Sequence, residues 1–152
     1  MKIREVIAGK AIQDVVTIRP DATVRELLAL LAQHNIGAAV VSGDDGATVD
    51  GIVSERDVVR RLNGNDAGLG DTVAQIMTSD VQTCEPSSSL DEVRKTMTEG
   101  RFRHLPVVEH GRLVGVISIG DIVKAYIDQV EFERDQLDSY VHQTERSAPA
   151  HG

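Results

Sequence analysis

Gly51-Ile52-Val53-Ser54-Glu55-Arg56-Asp57-Val58-Val59 returns 64 positions later as Gly115-Val116-Ile117-Ser118-Ile119-Gly120-Asp121-Ile122-Val123. In each copy an apolar, largely β-branched run ends in Ser, and a helical pattern starts there with Asp three residues on. The pairing predicts a strand that passes directly into a helix, twice. Working outward toward the N-terminus, Val15-x-Thr17-x-x-Pro20 recurs as Val81-x-Thr83-x-x-Pro86, a shift of 66. At that shift Val24-Arg25-Glu26-Leu27 lies over Leu90-Asp91-Glu92-Val93. Ile36 to Val41 lies over Phe102 to Val107. The change from 66 to 64 falls in the turn Ser42-Gly43-Asp44-Asp45-Gly46, which is longer in the first copy. Punctuation, polarity and order all recur, so the chain is an internal duplication.

Each copy reads as strand, helix, strand, strand, helix. Val15 to Ile18 is a β-branched run stopped by Pro20. Thr23 caps a helix with Glu26 at the capping-box position, and Val24, Leu27, Leu28 and Leu31 follow helical spacing. Strands are predicted over Ala38–Val41 and Val49–Val53, then a helix from Ser54 to Leu62. The second copy repeats this with Ser89 as cap, an apolar face of Leu90, Val93 and Met97, strands over Leu105–Val108 and Leu113–Ile117, and a helix from Ser118. One unit of this size cannot cover both faces of its sheet, so the two are expected to pack sheet to sheet around one shared aliphatic core. The predicted fold class is α/β (α+β), with two tandem β-α-β-β-α repeats. The expected boundaries are 7–64 and 76–127 for the repeats, with a Gly- and Asn-rich linker over 65–75. Beyond them Val123, Ile127, Val130, Arg134, Leu137 and Val141 alternate spacings of four and three. That stripe predicts an amphipathic helix over 128–146, packed on its own domain or across a dimer, before a flexible end at 147–152.

The composition of the 152 residues narrows the function. Hydrophobic residues at 41% suffice for a core, but aromatics at 3% leave no stacking platform for single-stranded nucleic acid. The formal charge of −8 removes the basic footprint that nucleic-acid binding needs. An anionic ligand would have to be captured locally, against the field of the whole chain. One cysteine, Cys84, excludes an internal disulfide and any multi-thiolate metal site. The five His residues show no zinc spacing. Neither a leader-like apolar run nor a membrane-spanning run is present, so a cytoplasmic protein without membrane contact is expected.

The repeated Ser-x-x-Asp has two readings. Ser and the first free amides of the helix form an anion-favouring strand end, and Asp one turn on can accept from two vicinal hydroxyls, so the pair could hold a sugar phosphate. The same residues also spell a capping box that serves only the helix. Arg103-His104, at the mouth of a strand, suits phosphate oxygens. Gly37-Ala38 stands there in the first copy, and Arg56 is matched by Gly120 in the second, so the two potential sites are chemically unequal. No nucleophile elbow, P-loop or separated acid–base pair is present, and Cys84 reads as a packed residue within a strand. No catalytic residue and no metal site emerge.

The unit resembles the cystathionine-β-synthase (CBS) domain. The carriers are the two Val-x-Thr-x-x-Pro openings, Ile36-Gly37-Ala38, Arg103-His104-Leu105-Pro106-Val107-Val108 and the two Gly-x-x-Ser-x-x-Asp endings, across residues 7–127. The chain looks like a stand-alone bacterial CBS pair, a Bateman module. The resemblance implies a pseudo-two-fold axis between the repeats and two clefts for adenosine-containing ligands: AMP, ADP, ATP, NAD or S-adenosylmethionine. It would put Asp57 and Asp121 on ribose and Ser54 and Ser118 near phosphate, with Arg56, Arg103 and His104 supplying phosphate donors. Thr17 and Thr83 would meet adenine, and Ile36, Phe102 and Pro106 would stand near the cleft walls. A homodimer and an unidentified regulated protein follow as expected partners. The alternative is a structural or interaction protein with vestigial clefts that dimerises and recruits a partner.

Overall fold

The computed structural model describes residues 1–10 and 15–147, with side-chain surroundings through 141. In chain order the elements are α1 (Ile3–Ala8), β1 (Thr17–Ile18), α2 (Val24–His34), β2 (Ala38–Val41), β3 (Gly51–Ser54) and α3 (Glu55–Leu62). A 3-10 turn (Asp66–Gly70) and α4 (Val73–Ile76) follow. The chain then forms α5 (Leu90–Gly100), β4 (His104–Glu109), β5 (Arg112–Ser118) and α6 (Ile119–Ser147). The caps expected of Thr23 and Ser89 are made: their hydroxyls accept from the backbone N–H of Glu26 and Glu92 at 3.1 Å. The first sheet has the order β1-β2-β3, with β1 parallel and β3 antiparallel to β2.

The second sheet is a β4-β5 pair, and the expected strand over Val81–Thr83 does not form. Cys84 alone bridges to Val107; its N–H donates to the Pro106 carbonyl at 3.0 Å and its carbonyl accepts from Val108 N–H at 2.8 Å. The next parallel bond in that ladder would need an N–H from residue 106, and proline has none. Val40 holds that place in the first copy, and there β1 pairs over two residues. The first copy's strands are also shorter than predicted, starting at Thr17 rather than Val15 and at Gly51 rather than Val49.

The buried residues form two clusters rather than one shared core. One joins Ile18, Val24, Leu27, Leu31, Val41, Val53 and Val58 with Val73 of α4. The other joins Leu90, Val93, Met97, Leu105, Val107, Ile117 and Ile122 with Ile3 and Val6 of α1. The leading helices have therefore crossed: α4 completes the first unit and α1 the second. The stitching is pseudo-symmetric. Ile3 N–H donates to the Ser88 carbonyl at 2.9 Å and Arg4 N–H to that of Pro86 at 3.0 Å. Val73 N–H donates to that of Ala22 at 2.8 Å and Ala74 N–H to that of Pro20 at 2.9 Å. Ile3 and Val73 are both fully buried, so the interdependence of the halves rests on swapped side chains.

Crossing explains the glycine that opens the first Gly-x-x-Ser-x-x-Asp. The segment leaving α4 runs along Ile52, with two 2.9 Å backbone bonds between Ile52 and Thr78. A Cβ on Gly51 would lie 2.6 Å from the Thr78 carbonyl oxygen. At the other end, α6 runs 29 residues without a break, directly from the second repeat into the predicted tail helix. Of the expected flexible end, residues 148–152 lie outside the described residues.

Candidate functional site

Both Ser-x-x-Asp motifs sit where a strand meets a helix, and both are closed as capping boxes. Ser54 N–H donates to Asp57 Oδ2 at 2.8 Å while Asp57 N–H reaches Ser54 Oγ at 3.4 Å. Ser118 N–H donates to Asp121 Oδ2 at 2.8 Å and Asp121 N–H to Ser118 Oγ at 3.1 Å. The capping role is thus realised, and it holds Asp57 in the wall of the larger cleft and Asp121 beside the smaller one. The register of the sheets pairs Ala38 with Ser54 and His104 with Ser118. Across the interface the ending of one repeat faces the strand start of the other.

The larger cleft, of about 610 Å³, brings the ending of the first repeat against the β4 entrance of the second. Ser54, Arg56, Asp57 and Arg60 line one side, and Arg101, Phe102, Arg103 and His104 the other. Arg56 and Arg60 are four apart on α3, hence on one face. Arg101 occupies the left-handed C-cap of α5 at φ 57°, which turns the chain sharply before β4. Four guanidiniums ring this cleft, and none has a hydrogen-bond or ion-pair partner among the described residues. Against them stand the carboxylates of Glu55 and Asp57. In a chain of net charge −8, positive charge is concentrated at one concave place. Such a site can hold several anionic oxygens at once, because guanidinium donors are planar, paired and permanently charged.

The smaller cleft, of about 270 Å³, is built from the opposite halves: Val16, Ile36, Gly37 and Ala38 face Gly115, Val116 and Ser118, with Ile7 and Lys10 at the edge. It is mostly apolar. Its cation is Lys10, whose ammonium donates to the Val116 carbonyl at 2.8 Å and pairs with Asp121 at 3.0 Å. Burial alone would raise the Asp121 carboxyl. The N–H of Ser118 and the Lys10 ammonium outweigh burial and hold it below the usual carboxylate range. His104 lines both clefts. Burial lowers its pKa below that of a free imidazole; the Asp121 charge opposes this, while Lys10 and Arg103 add to it. His104 is therefore a neutral imidazole at pH 7.

The structure brings together in the larger cleft six of the residues singled out from sequence: Ser54, Arg56, Asp57, Phe102, Arg103 and His104. Ile36 and Ser118 meet in the smaller one. Asp121 lies one step outside it, in an adjoining depression shared with Glu5, Gly9 and Lys124, and is linked to the cleft through Lys10. Thr17 lines a shallow groove on the outer side with Arg19, Asp21 and Glu26. Thr83 is exposed beyond the single bridge of Cys84. Pro106 is fully buried within β4. These three stand apart from both clefts. Sequence reading missed Arg60, Arg101 and Lys10. The first two were within reach, since Arg60 follows Arg56 by one turn and Arg101 precedes Arg103 by two. Lys10 lies ahead of the duplicated pattern, where no repeat marks it. Among the described residues no cluster of His, Cys, Asp and Glu can hold a metal ion.

The profile of the CBS domain matches this chain twice, over residues 3–64 and 73–128. A mitochondrial CBS domain-containing protein of Arabidopsis thaliana, CBSX3, is 32% identical over 125 residues, which is 80% of this chain and 61% of that protein's length. A CBS-domain protein of Agrobacterium tumefaciens, ATU1752, superposes with a TM-score of 0.76 at 44% identity, covering 83% of this chain and 99% of that one. The CBS domain pair of MJ0100, solved with 5'-methylthioadenosine and S-adenosyl-L-methionine, has the same fold at a TM-score of 0.74 and 22% identity, over 85% of this chain and 98% of that one.

Proposed function

This chain belongs to the CBS-domain family, and we propose that it is a non-enzymatic regulatory module whose larger cleft binds an adenosine-containing nucleotide by its phosphates. One observation carries the reading: the four guanidiniums of Arg56, Arg60, Arg101 and Arg103, unpartnered among the described residues, around a cleft that also holds Ser54 and Asp57. In this reading the arginines neutralise the phosphates, the positive end of the α3 dipole favours the same charge, and Asp57 accepts from the ribose hydroxyls. The adenosine-type ligands of the MJ0100 pair support the choice of ligand class. AMP, ADP, ATP and NAD all carry the required phosphate. S-adenosylmethionine, which has none, suits the arginine ring least.

The clefts lie between the two repeats, so a ligand that prefers one packing of the repeats shifts the population toward it. A homodimer, a regulated partner protein and a cytoplasmic location complete the proposal. Among the described residues no helix is long and apolar enough to cross a membrane.

Titration calorimetry on nucleotide-stripped protein with AMP, ADP, ATP and NAD tests the reading. Binding to at least one of them, abolished in Asp57→Ala combined with Arg103→Ala, is the expected result. Absence of heat for all four overturns it.

A further inference from the structure

The two Ser-x-x-Asp endings match in backbone and differ in what covers the carboxylate. Asp57 stands in the wall of the larger cleft and has no ion-pair partner among the described residues. Its Oδ2 accepts from the Ser54 N–H at 2.8 Å and from the Ser54 hydroxyl at 3.1 Å. Oδ2 of Asp121 likewise accepts from the Ser118 N–H at 2.8 Å, but its second partner is the Lys10 ammonium at 3.0 Å.

The crossed helices account for the difference. The hydrogen bonds of Ile3 and Val73 set α1 against α4 at a shift of 70 positions. After α4 the main chain itself runs along β3, and the Ile52 carbonyl accepts from the Thr78 N–H at 2.9 Å. The matching carbonyl in the second repeat is that of Val116, and there the donor is the Lys10 ammonium, at 2.8 Å. A side chain has taken the place of a strand-like segment. At the shift of 70, Lys10 matches Asp80, so the first repeat has no cation to bring to Asp57 by this route.

The Lys10 side chain also divides space. The smaller cleft, of about 270 Å³, adjoins the depression of about 340 Å³ that holds Asp121, and among the described residues Lys10 alone lines both. A mostly apolar space lies on one side of it and the carboxylate on the other. A nucleoside with its base in the apolar space can reach Asp121 only through the position Lys10 holds. Its hydroxyls bring no charge, so displacing the ammonium leaves Asp121, only 20% exposed, without a counter-charge. We infer that Lys10 is a built-in occupant of the sugar-holding place at Asp121 and keeps the smaller cleft closed to a nucleoside. The inference rests on the sugar-holding role proposed for Asp57.

Isothermal titration of the full chain with adenosine, which needs no phosphate site, counts the places. One per chain is expected for wild type and two for Lys10→Met, which keeps the side-chain length and removes the charge. The gained place binds at least about tenfold more tightly than in wild type. It disappears with 2',3'-dideoxyadenosine, and again when Asp121→Ala is added. With the larger cleft silenced by Asp57→Ala and Arg103→Ala, the count is zero and becomes one on adding Lys10→Met. Where Lys10→Met melts early, Lys10→Gln carries the same test, since its amide still offers an N–H to the Val116 carbonyl. Two places in wild type, or none gained in folded Lys10→Met or Lys10→Gln, overturns the inference. Wild type silent toward both adenosine and ATP while Lys10→Met gains a place upholds it, and overturns the reading of the larger cleft instead.

Discussion

The ammonium of Lys10 sits 3.0 Å from Oδ2 of Asp121, and so ties the segment leaving α1 to the first turn of α6. The side chains are only 26% and 20% exposed, so solvent screens the pair less than a surface bridge. Asp121 has a depressed folded-state pKa, so its contribution to stability is present above the unfolded value near 4 and is lost as pH falls through the folded one. Lys10→Met is expected to cost on the order of 1–2 kcal/mol at pH 7. Urea melts of both proteins at pH 7 and pH 3 check this. The gap between them narrows at pH 3, and an equal gap at both would show that the pair is not the cause.

Arg103→Ala and Arg56→Ala are each expected to weaken binding of ATP to the larger cleft by about tenfold, the value of one charge-assisted contact. Adenosine, lacking phosphate, should be affected by less than about threefold by the same changes. Raising the salt from 50 to 500 mM should reproduce the loss for ATP in the wild type. Equal losses for ATP and adenosine would move the arginines away from the phosphates.

Gly51→Ala places a methyl 2.6 Å from a backbone oxygen that is itself held by paired hydrogen bonds. The chain must part there, at an expected cost of about 1–3 kcal/mol. Gly70→Ala is the control, with open space around its Cβ. Thermal melts of the two variants should differ by several degrees, and coincident melts would contradict the close crossing of Gly51 and Thr78.

Ile3→Ala and Val73→Ala each remove a fully buried side chain contributed to the other unit's core. Losses of about 2–4 and 1–3 kcal/mol are expected, with one cooperative transition in each variant. Separate transitions for the two units would mean that the crossed helices do not couple them.

Cys84 is buried, and burial first, then the neighbouring Glu85 charge, pushes its thiol up to about 11. Alkylation at pH 8 should be slow in the folded protein and fast in 6 M urea, the ratio reporting opening of the second unit. Rapid labelling of native protein would show that the single Cys84–Val107 bridge is not closed.

The duplication, the strand–helix junctions at Ser54 and Ser118, and five residues of the larger cleft were legible from spacing and residue chemistry, with Phe102 implied only by the family resemblance, because repeated punctuation is a property of the sequence itself. What was not legible depends on long-range geometry. The crossing of α1 and α4 leaves no local signal, since an amphipathic turn such as Ile3-Arg4-Glu5-Val6 is the same whichever core takes it. Lys10 became a site residue only through that crossing. The loss of the second repeat's first strand was written in Pro106, but only the neighbouring strand turns a missing N–H into a missing ladder. Thr17 lies on an edge strand whose facing could not be set without register, and Thr83 lies in a segment that forms no strand.

The crossed leading helices also fix an order of events in time. Ile3 and Val6 are buried in a cluster with Leu90, Val93, Met97, Ile122 and Ala125, so contacts with those residues close loops of more than 80 residues, the slow kind in any folding reaction. At synthesis rates of about 5–20 residues per second, the apolar face of α1 waits roughly 6–24 s for its partners to leave the ribosome. The first unit, whose last piece is Val73, can close earlier. The nascent chain thus passes through a period with one finished unit and one orphaned helix. Its yield depends on what shields Ile3 and Val6 during that interval.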